Sequence, residues 1–181
     1  MSPPRPEAPP LTWIERERSF SLWLYRAAAR TWMVPLLTLV SRLGDGWIWY
    51  ATILALPWVA GSAGTACAVR MFAVGAVDML IHKIVKRWIA RPRPARSCPG
   101  IREVTRPLDE FSFPSGHTLH AVAFSVVLSG YFPSFWFMAL VWTFTALVAL
   151  SRVVLGLHYP SDVLVAAVIG VLTAGFSFNL L

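Results

Sequence analysis

The sequence predicts an all-α, polytopic membrane protein: six transmembrane helices preceded by an amphipathic helix lying at the interface. Three observations carry that expectation. Of 181 residues, 56% are hydrophobic and nine are Trp. The mean hydropathy of +0.59 is that of a chain dominated by apolar runs. Those runs are long, free of charge and separated by turn and proline signals, as bilayer-crossing segments are.

In chain order, residues 1–12 are proline-rich and read as a disordered tail with no apolar core of a cleavable signal peptide. From Trp13 to Arg30, aromatic and aliphatic residues alternate with Glu15, Arg16, Glu17, Arg18, Arg26 and Arg30, which suits a helix lying in the headgroup layer. Residues 31–41 are apolar but short, so the first span borrows from the preceding turn while Arg26 and Arg30 snorkel outward. Leu43-Gly44-Asp45-Gly46 is a tight turn. Trp47 to Val69 is a charge-free run of 23 residues, with Gly61-Ser62-Ala63-Gly64 marking where it turns back.

The third span then runs from about Thr65 to Trp88, with Arg70 at one end and Asp78 inside. Asp78, His82 and Lys86 are spaced by four and share one helical face. A carboxylate in a span flags function, and its ordinary alternative is a structural partner for His82 or for a neighbouring helix. Arg91-Pro92-Arg93-Pro94 ends this helix, because a residue before proline avoids helical geometry. Residues 95–113 form a polar loop. From Phe111 to Ser151 there are 41 residues without Asp, Glu, Lys or Arg, broken by Gly130 to Pro133 into two spans. The 19 residues from Val163 to Leu181 make the sixth. Residues 13–181 therefore read as one domain.

Charge is concentrated. Between residues 82 and 106 lie eight Lys/Arg against one acid, Glu103, so this stretch carries the whole formal charge of +7. A focused basic segment beside spans suggests an anionic ligand such as a phosphate; headgroup attraction or a topology signal are the plain alternatives. Nucleic acid is a poor partner, since the aromatics sit in apolar spans and do not alternate with the cations. Cys67 lies in an apolar run and Cys98 in the polar loop, so no disulfide between them is expected.

Two crossings separate the basic loop from the connection that follows the fifth span, so both emerge on one side of the bilayer. Three polar clusters lie there. Lys86 and Arg93 are seven residues apart, two helical turns, which lets both point one way; alone, the pair is an ordinary basic boundary. Pro114-Ser115-Gly116-His117 leads into a helix, with Ser115 placed as N-cap and Gly116 allowing close approach of a ligand. Such an N-terminus suits an anion, and His117 can protonate a leaving oxygen; the alternative is a capped helix with an interfacial histidine. His120, one turn on, reads as packing. In Ser151 to Asp162, Arg152 can grip an anion, His158 can act as base or nucleophile, and Asp162 can orient its imidazole. His158 and Asp162 also have the spacing of metal ligands, but several fixed cations would repel a divalent ion, so no metal and no cofactor is expected.

Together, the patterns K-x6-R-P (Lys86 to Pro94), P-S-G-H (Pro114 to His117) and S-R-x5-H-x3-D (Ser151 to Asp162) resemble the three signatures of the type-2 phosphatidic acid phosphatase family. The short loop between the first two resembles the compact bacterial members. The resemblance implies a metal-independent hydrolase of membrane lipid phosphates. In that scheme His158 forms a phosphohistidine, Asp162 orients it, and His117 protonates the leaving oxygen and later activates water. Lys86, Arg93, Ser115, Gly116 and Arg152 bind the phosphoryl oxygens. The partners implied are a lipid phosphate and the bilayer, with undecaprenyl diphosphate favoured over phosphatidylglycerophosphate, phosphatidate or a lipid A phosphate. The implied location is a bacterial inner membrane, with the active face outside. A binding or transport protein without turnover is the reading from another class. A haloperoxidase is disfavoured, because those relatives are soluble.

Overall fold

The computed structural model describes residues 12–28, 32–101 and 109–180. Among them are seven helices: α1 (Trp13–Ala28), α2 (Met33–Leu43), α3 (Trp47–Ile89), α4 (Pro94–Ser97), α5 (Gly116–Tyr131), α6 (Phe135–Val154) and α7 (Pro160–Leu180). The expected disordered tail lies outside the described residues, Thr12 excepted. Thr12 opens α1 through a reciprocal cap: its amide donates to Glu15 at 2.7 Å, and the Glu15 amide donates to its hydroxyl at 3.4 Å. Trp13, Phe20 and Trp23 on α1 stay exposed, while Ser21 and Ala28 are buried, as for a helix lying at an interface.

Three stretches, Trp47–Ser97, Phe135–Val154 and Pro160–Leu180, are long and apolar enough to cross a membrane. The first is bent. Gly61 leaves helical geometry at φ 57°, and a side chain on Gly64 would lie 1.9 Å from the Leu56 carbonyl oxygen. Such proximity over eight residues requires the chain to double back, so α3 is a hairpin of two arms, residues 47–60 and 62–89. The return bend sits in the Gly-Ser-Ala-Gly stretch expected from sequence. α2, with 11 residues, rises only about 16 Å, roughly half the hydrocarbon thickness. The six segments after α1 are α2, the two arms of α3, α5, α6 and α7.

α5 is the central helix, packed by α3, α6 and α7. Its core joins Phe124 and Val127 to Trp49, Met71 and Val74 of both α3 arms and to Val148 of α6. Gly170 lets α7 approach closely: a Cβ there would meet the Leu119 carbonyl oxygen at 2.7 Å. Ser125 and Thr145 share a 2.6 Å hydroxyl contact between α5 and α6. At the end of the bundle remote from the loops, buried Arg70 donates to the Tyr131 hydroxyl at 3.1 Å and to the Ser177 carbonyl. Outward faces keep Trp58, Val59, Trp136, Leu164 and Val168 exposed, as lipid-facing side chains are.

Candidate active site

Four connections bring the site residues together: the Gly44–Gly46 turn, residues 90–101, residues 109–115, and residues 155–159 between α6 and α7. They are laced by bonds to backbone atoms. The Ser112 amide donates to the Arg91 carbonyl at 2.8 Å, the Ser115 amide to the Asp162 carbonyl at 3.2 Å, and Arg93 Nη1 to the Leu157 carbonyl at 2.7 Å. All three sequence signatures are thus tied to one another irrespective of bound ligand.

They enclose a cavity of about 660 Å³ whose wall includes Lys86, Arg93, Gly116, His117, Arg152 and His158. This places six of the eight expected site residues around one space. Ser115 and Asp162 lie just behind it. Ser115 is fully buried, and its hydroxyl caps α5 through Thr118.

His158 is fixed at both ring nitrogens. Nδ1 donates to the Ser112 carbonyl at 2.5 Å, and Nε2 lies 3.4 Å from Arg93 Nη1. A carbonyl can only accept, so Nδ1 carries the proton and Nε2 the lone pair. Burial first, and then the charges of Arg152, Arg93 and Lys86, hold this imidazole well below its ordinary value of 6.5. It is neutral at physiological pH, with its lone pair at Nε2.

The expected Asp162–imidazole hydrogen bond is not what fixes the ring. Asp162 Oδ2 lies 3.7 Å from Nδ1 and accepts from the Tyr159 amide at 2.8 Å, and the short contact belongs to the Ser112 carbonyl instead. Asp162 Oδ1 takes Arg91 Nη1 at 2.7 Å, and Arg91 Nη2 reaches Glu17 of α1 at 2.7 Å. The Arg91 guanidinium also lies over the Tyr159 ring, 3.9 Å from its centroid. The interfacial helix is therefore anchored to the carboxylate beside His158.

His117 Nε2 lies 2.5 Å from Asp45 Oδ1. Arg152 donates from Nη1 to the Ser41 hydroxyl, and its buried Nε has no hydrogen-bond partner among the described residues. Lys86 and Arg93 both grip one anion, the Asp109 carboxylate, each at 2.6 Å. Burial alone would raise that carboxyl, but the Lys86 hydrogen bond and the Lys86 and Arg93 charges hold it below the usual carboxylate range. Asp109 thus supplies the anion between these two cations. His82 contacts Lys86 at 3.1 Å as the spacing implied, whereas both oxygens of buried Asp78 lack a hydrogen-bond partner among the described residues.

Sequence reasoning missed Asp45, Arg91, Asp109, Ser112 and Glu17. In the sequence Asp45 shows only as a turn residue. Its partner is 72 positions away, and no local pattern announces such a contact. Asp109 could have been suspected as an acid closely following the basic run.

Beyond the cations, the cavity is walled by Trp49, Tyr50, Ile53, Met71, Phe72 and Phe124. Tyr50 and Phe72 are exposed on the bundle surface, so an apolar groove between the α3 arms leads from the cations towards lipid.

A helical membrane bundle with a cationic, two-histidine cavity at one end matches the family model described as the PAP2 superfamily over residues 67–181, well over half the chain. The chain belongs to the PAP2 superfamily. It is 33% identical over 141 residues to decaprenylphosphoryl-5-phosphoribose phosphatase of Mycobacterium tuberculosis, covering 72% of this chain and 71% of that protein. It is 35% identical over 122 residues to phosphatidylglycerophosphatase B of Bacillus subtilis, covering 61% of this chain but only 52% of that relative, about half its length. The crystal structure of LpxE from Aquifex aeolicus superposes with a TM-score of 0.76 at 23% identity, over 87% of this chain and 92% of that one, and shares the fold.

Proposed function

We propose that this chain, with residues 13–181 as one domain, is a membrane lipid-phosphate phosphatase working through a phosphohistidine. The observation that carries the reading is a single cavity that joins an oriented His158 Nε2 to three buried cations and continues into an apolar groove. In the first step Nε2 attacks phosphorus, the N–P bond forms, and the bond to the lipid oxygen breaks as His117 gives that oxygen a proton. In the second step His117 takes a proton from water, the water oxygen attacks phosphorus, and the N–P bond breaks to release inorganic phosphate. Lys86, Arg93 and Arg152 neutralise charge on the phosphoryl oxygens, a task that other phosphoryl-transfer enzymes give to Mg²⁺. Gly116 and the first turn of α5 add backbone donors, Ser115 holds that turn, and Asp162 stabilises the imidazole as positive charge develops. Substrate must displace Asp109 from Lys86 and Arg93.

A phosphate at the cations with its tails in the groove describes a lipid phosphate. Within that class the reading leans to a polyprenyl diphosphate such as undecaprenyl diphosphate; phosphatidylglycerophosphate, phosphatidate and a lipid A phosphate are the alternatives. The proposed location is a bacterial inner membrane with the cavity on the outer face. An Arg96→Cys variant, exposed beside the site, should label with an impermeant maleimide in intact cells; labelling only after lysis would reverse the orientation.

Phosphate release from these four lipids in detergent, by the wild type and by His158→Ala, tests the activity. Release from at least one lipid and its loss in the variant are expected. Lipid binding without release in the wild type would make the protein a binder instead.

A further inference from the structure

Two cations in the cavity wall have no task in the reaction above. Lys83 and Arg87 lie four apart on the second arm of α3, both line the cavity, and both are exposed. Among the described residues neither has an ion pair or hydrogen bond, in contrast to Lys86 and Arg93, which share Asp109, and to Arg152, which holds Ser41. The acids in the same wall are engaged elsewhere: Asp45 with His117, Asp109 with Lys86 and Arg93, and Glu110 with Arg96 at 3.4 Å. Two exposed positive charges are left without a protein counter-charge among the described residues, at the mouth of an apolar groove.

Their order along the helix matters. α3 runs from the lipid-facing groove towards the site, and Phe72, Met79, Lys83 and Lys86 line the cavity in that order. At 1.5 Å per residue, Lys83 lies about 4.5 Å nearer the groove than Lys86 and Arg87 about 1.5 Å beyond it, so the two flank Lys86 on one helical face, with Lys83 on the tail side. A lipid with its scissile phosphate at Lys86 and its tail past Phe72 must pass Lys83 in between.

We infer that Lys83 and Arg87 form a second phosphate subsite, which selects lipids whose scissile phosphate is joined to the tail through another phosphate. This rests on the phosphatase reading for the direction in which the lipid lies. The second phosphate can be the adjoining one of a diphosphate or a phosphodiester further along the headgroup; both present the same doubly liganded anion to a lysine and an arginine one helical turn apart.

The test compares wild type with Lys83→Met/Arg87→Met, which keeps the apolar stems, on two matched pairs: farnesyl diphosphate against farnesyl monophosphate, and phosphatidylglycerophosphate against phosphatidate. The ratio of kcat/KM within at least one pair should fall about tenfold, the size of a lost charge-assisted contact. The pair that responds identifies the spacing. A charge-keeping variant, Lys83→Arg/Arg87→Lys, should hold the ratio near wild type, which controls for misfolding. Equal losses on both members of each pair would mean general attraction of anionic lipid to the surface, and would overturn the subsite. An unchanged ratio would do the same. Binding of the same lipids to His158→Ala protein separates the subsite from turnover. A preference for the doubly phosphorylated lipid that needs Lys83 and Arg87 supports the subsite even if the wild type releases no phosphate, in which case only the phosphatase reading falls. No such preference overturns the subsite even in an active enzyme.

Discussion

His158 and His117 face one cavity, yet they are held by different means. His158 is buried in the connection between α6 and α7, with Nδ1 bonded to a peptide carbonyl and Nε2 beside Arg93. His117 stands in the first turn of α5 and meets a side-chain carboxylate, Asp45, on a half-exposed turn. A peptide carbonyl accepts from one tautomer only and cannot swing away, which suits a group that must present the same lone pair each time. A carboxylate stabilises the protonated ring and can rotate off it, which suits a group that passes a proton both ways. In the proposed mechanism, the contrast ties the nucleophile to backbone geometry and the acid–base group to a replaceable side chain.

The largest expected effects come from deleting each ring. His158→Ala should lower turnover on every phosphate ester by on the order of 10⁴-fold or more, as loss of an attacking group does. His117→Ala should cost roughly 10²–10⁴-fold on a lipid alcohol leaving group. On p-nitrophenyl phosphate, whose leaving group departs without a proton, the first step should be spared, so a burst of about one equivalent of p-nitrophenol should survive even where the second step, which also uses His117, is slowed. Rapid-mixing measurements of that burst check this, and loss of the burst in His117→Ala as in His158→Ala would dissolve the distinction between the rings.

Next in size is the carboxylate. Asp45→Asn should reduce kcat on lipid substrates by on the order of tenfold, well short of the roughly 10⁴-fold cost of losing a fully buried triad aspartate. KM should change little, because Asp45 meets the ring rather than the phosphate cations. A raised KM at constant kcat would assign Asp45 to substrate binding instead.

The same contrast explains what could be read from the sequence. Helix positions followed from charge-free runs and proline and glycine breaks, because a bilayer imposes length and apolarity on every crossing. The α3 hairpin was visible at Gly61 to Gly64. Lys86, Arg93, His117, Arg152 and His158 were visible because their three clusters together resemble a known family's signatures, although each cluster alone has an ordinary structural reading. The supporting partners were not. Ser112 contributes a carbonyl, which every residue has; Asp45 and Glu17 act across 72 and 74 positions; and Arg91 sat unnoticed in a basic run until Asp162 faced it. The short α2 shows the same limit from the other side, since its boundary depends on packing against α6 rather than on its own apolarity.

Arg91 offers a way to loosen the His158 side without touching the ring. Its guanidinium compensates Asp162, which is fully buried, so Arg91→Met leaves an unpaired buried carboxylate and should cost about 3–5 kcal/mol of stability. Glu17→Gln keeps an acceptor oxygen for only one of its two donors, Arg91 and the Ser161 amide, and leaves Asp162 paired with Arg91, so it should cost only about 1–2 kcal/mol. Thermal midpoints in detergent distinguish the two. Similar midpoints for both variants would show that Asp162 does not depend on Arg91 for its charge.

The smallest effect reports the burial of His158 directly. The folded protein holds this imidazole well below 6.5, near which an unfolded chain would titrate. As pH falls below about 6.5, the unfolded state therefore takes up a proton that the folded state refuses, and stability falls, by at most about 1.4 kcal/mol per pH unit for one proton. Asp109 behaves differently in that window. Its carboxyl is held below 3.8, so its stabilising pairing persists until the pH drops through that lower folded value. Between pH 7.5 and 5.5, wild type should thus lose more thermal stability than His158→Gln, which keeps an amide in place of the ring and has no proton to gain. Parallel losses in the two proteins would mean that the folded site accepts a charged imidazole, and the neutral nucleophile inferred from the Ser112 carbonyl would have to be abandoned.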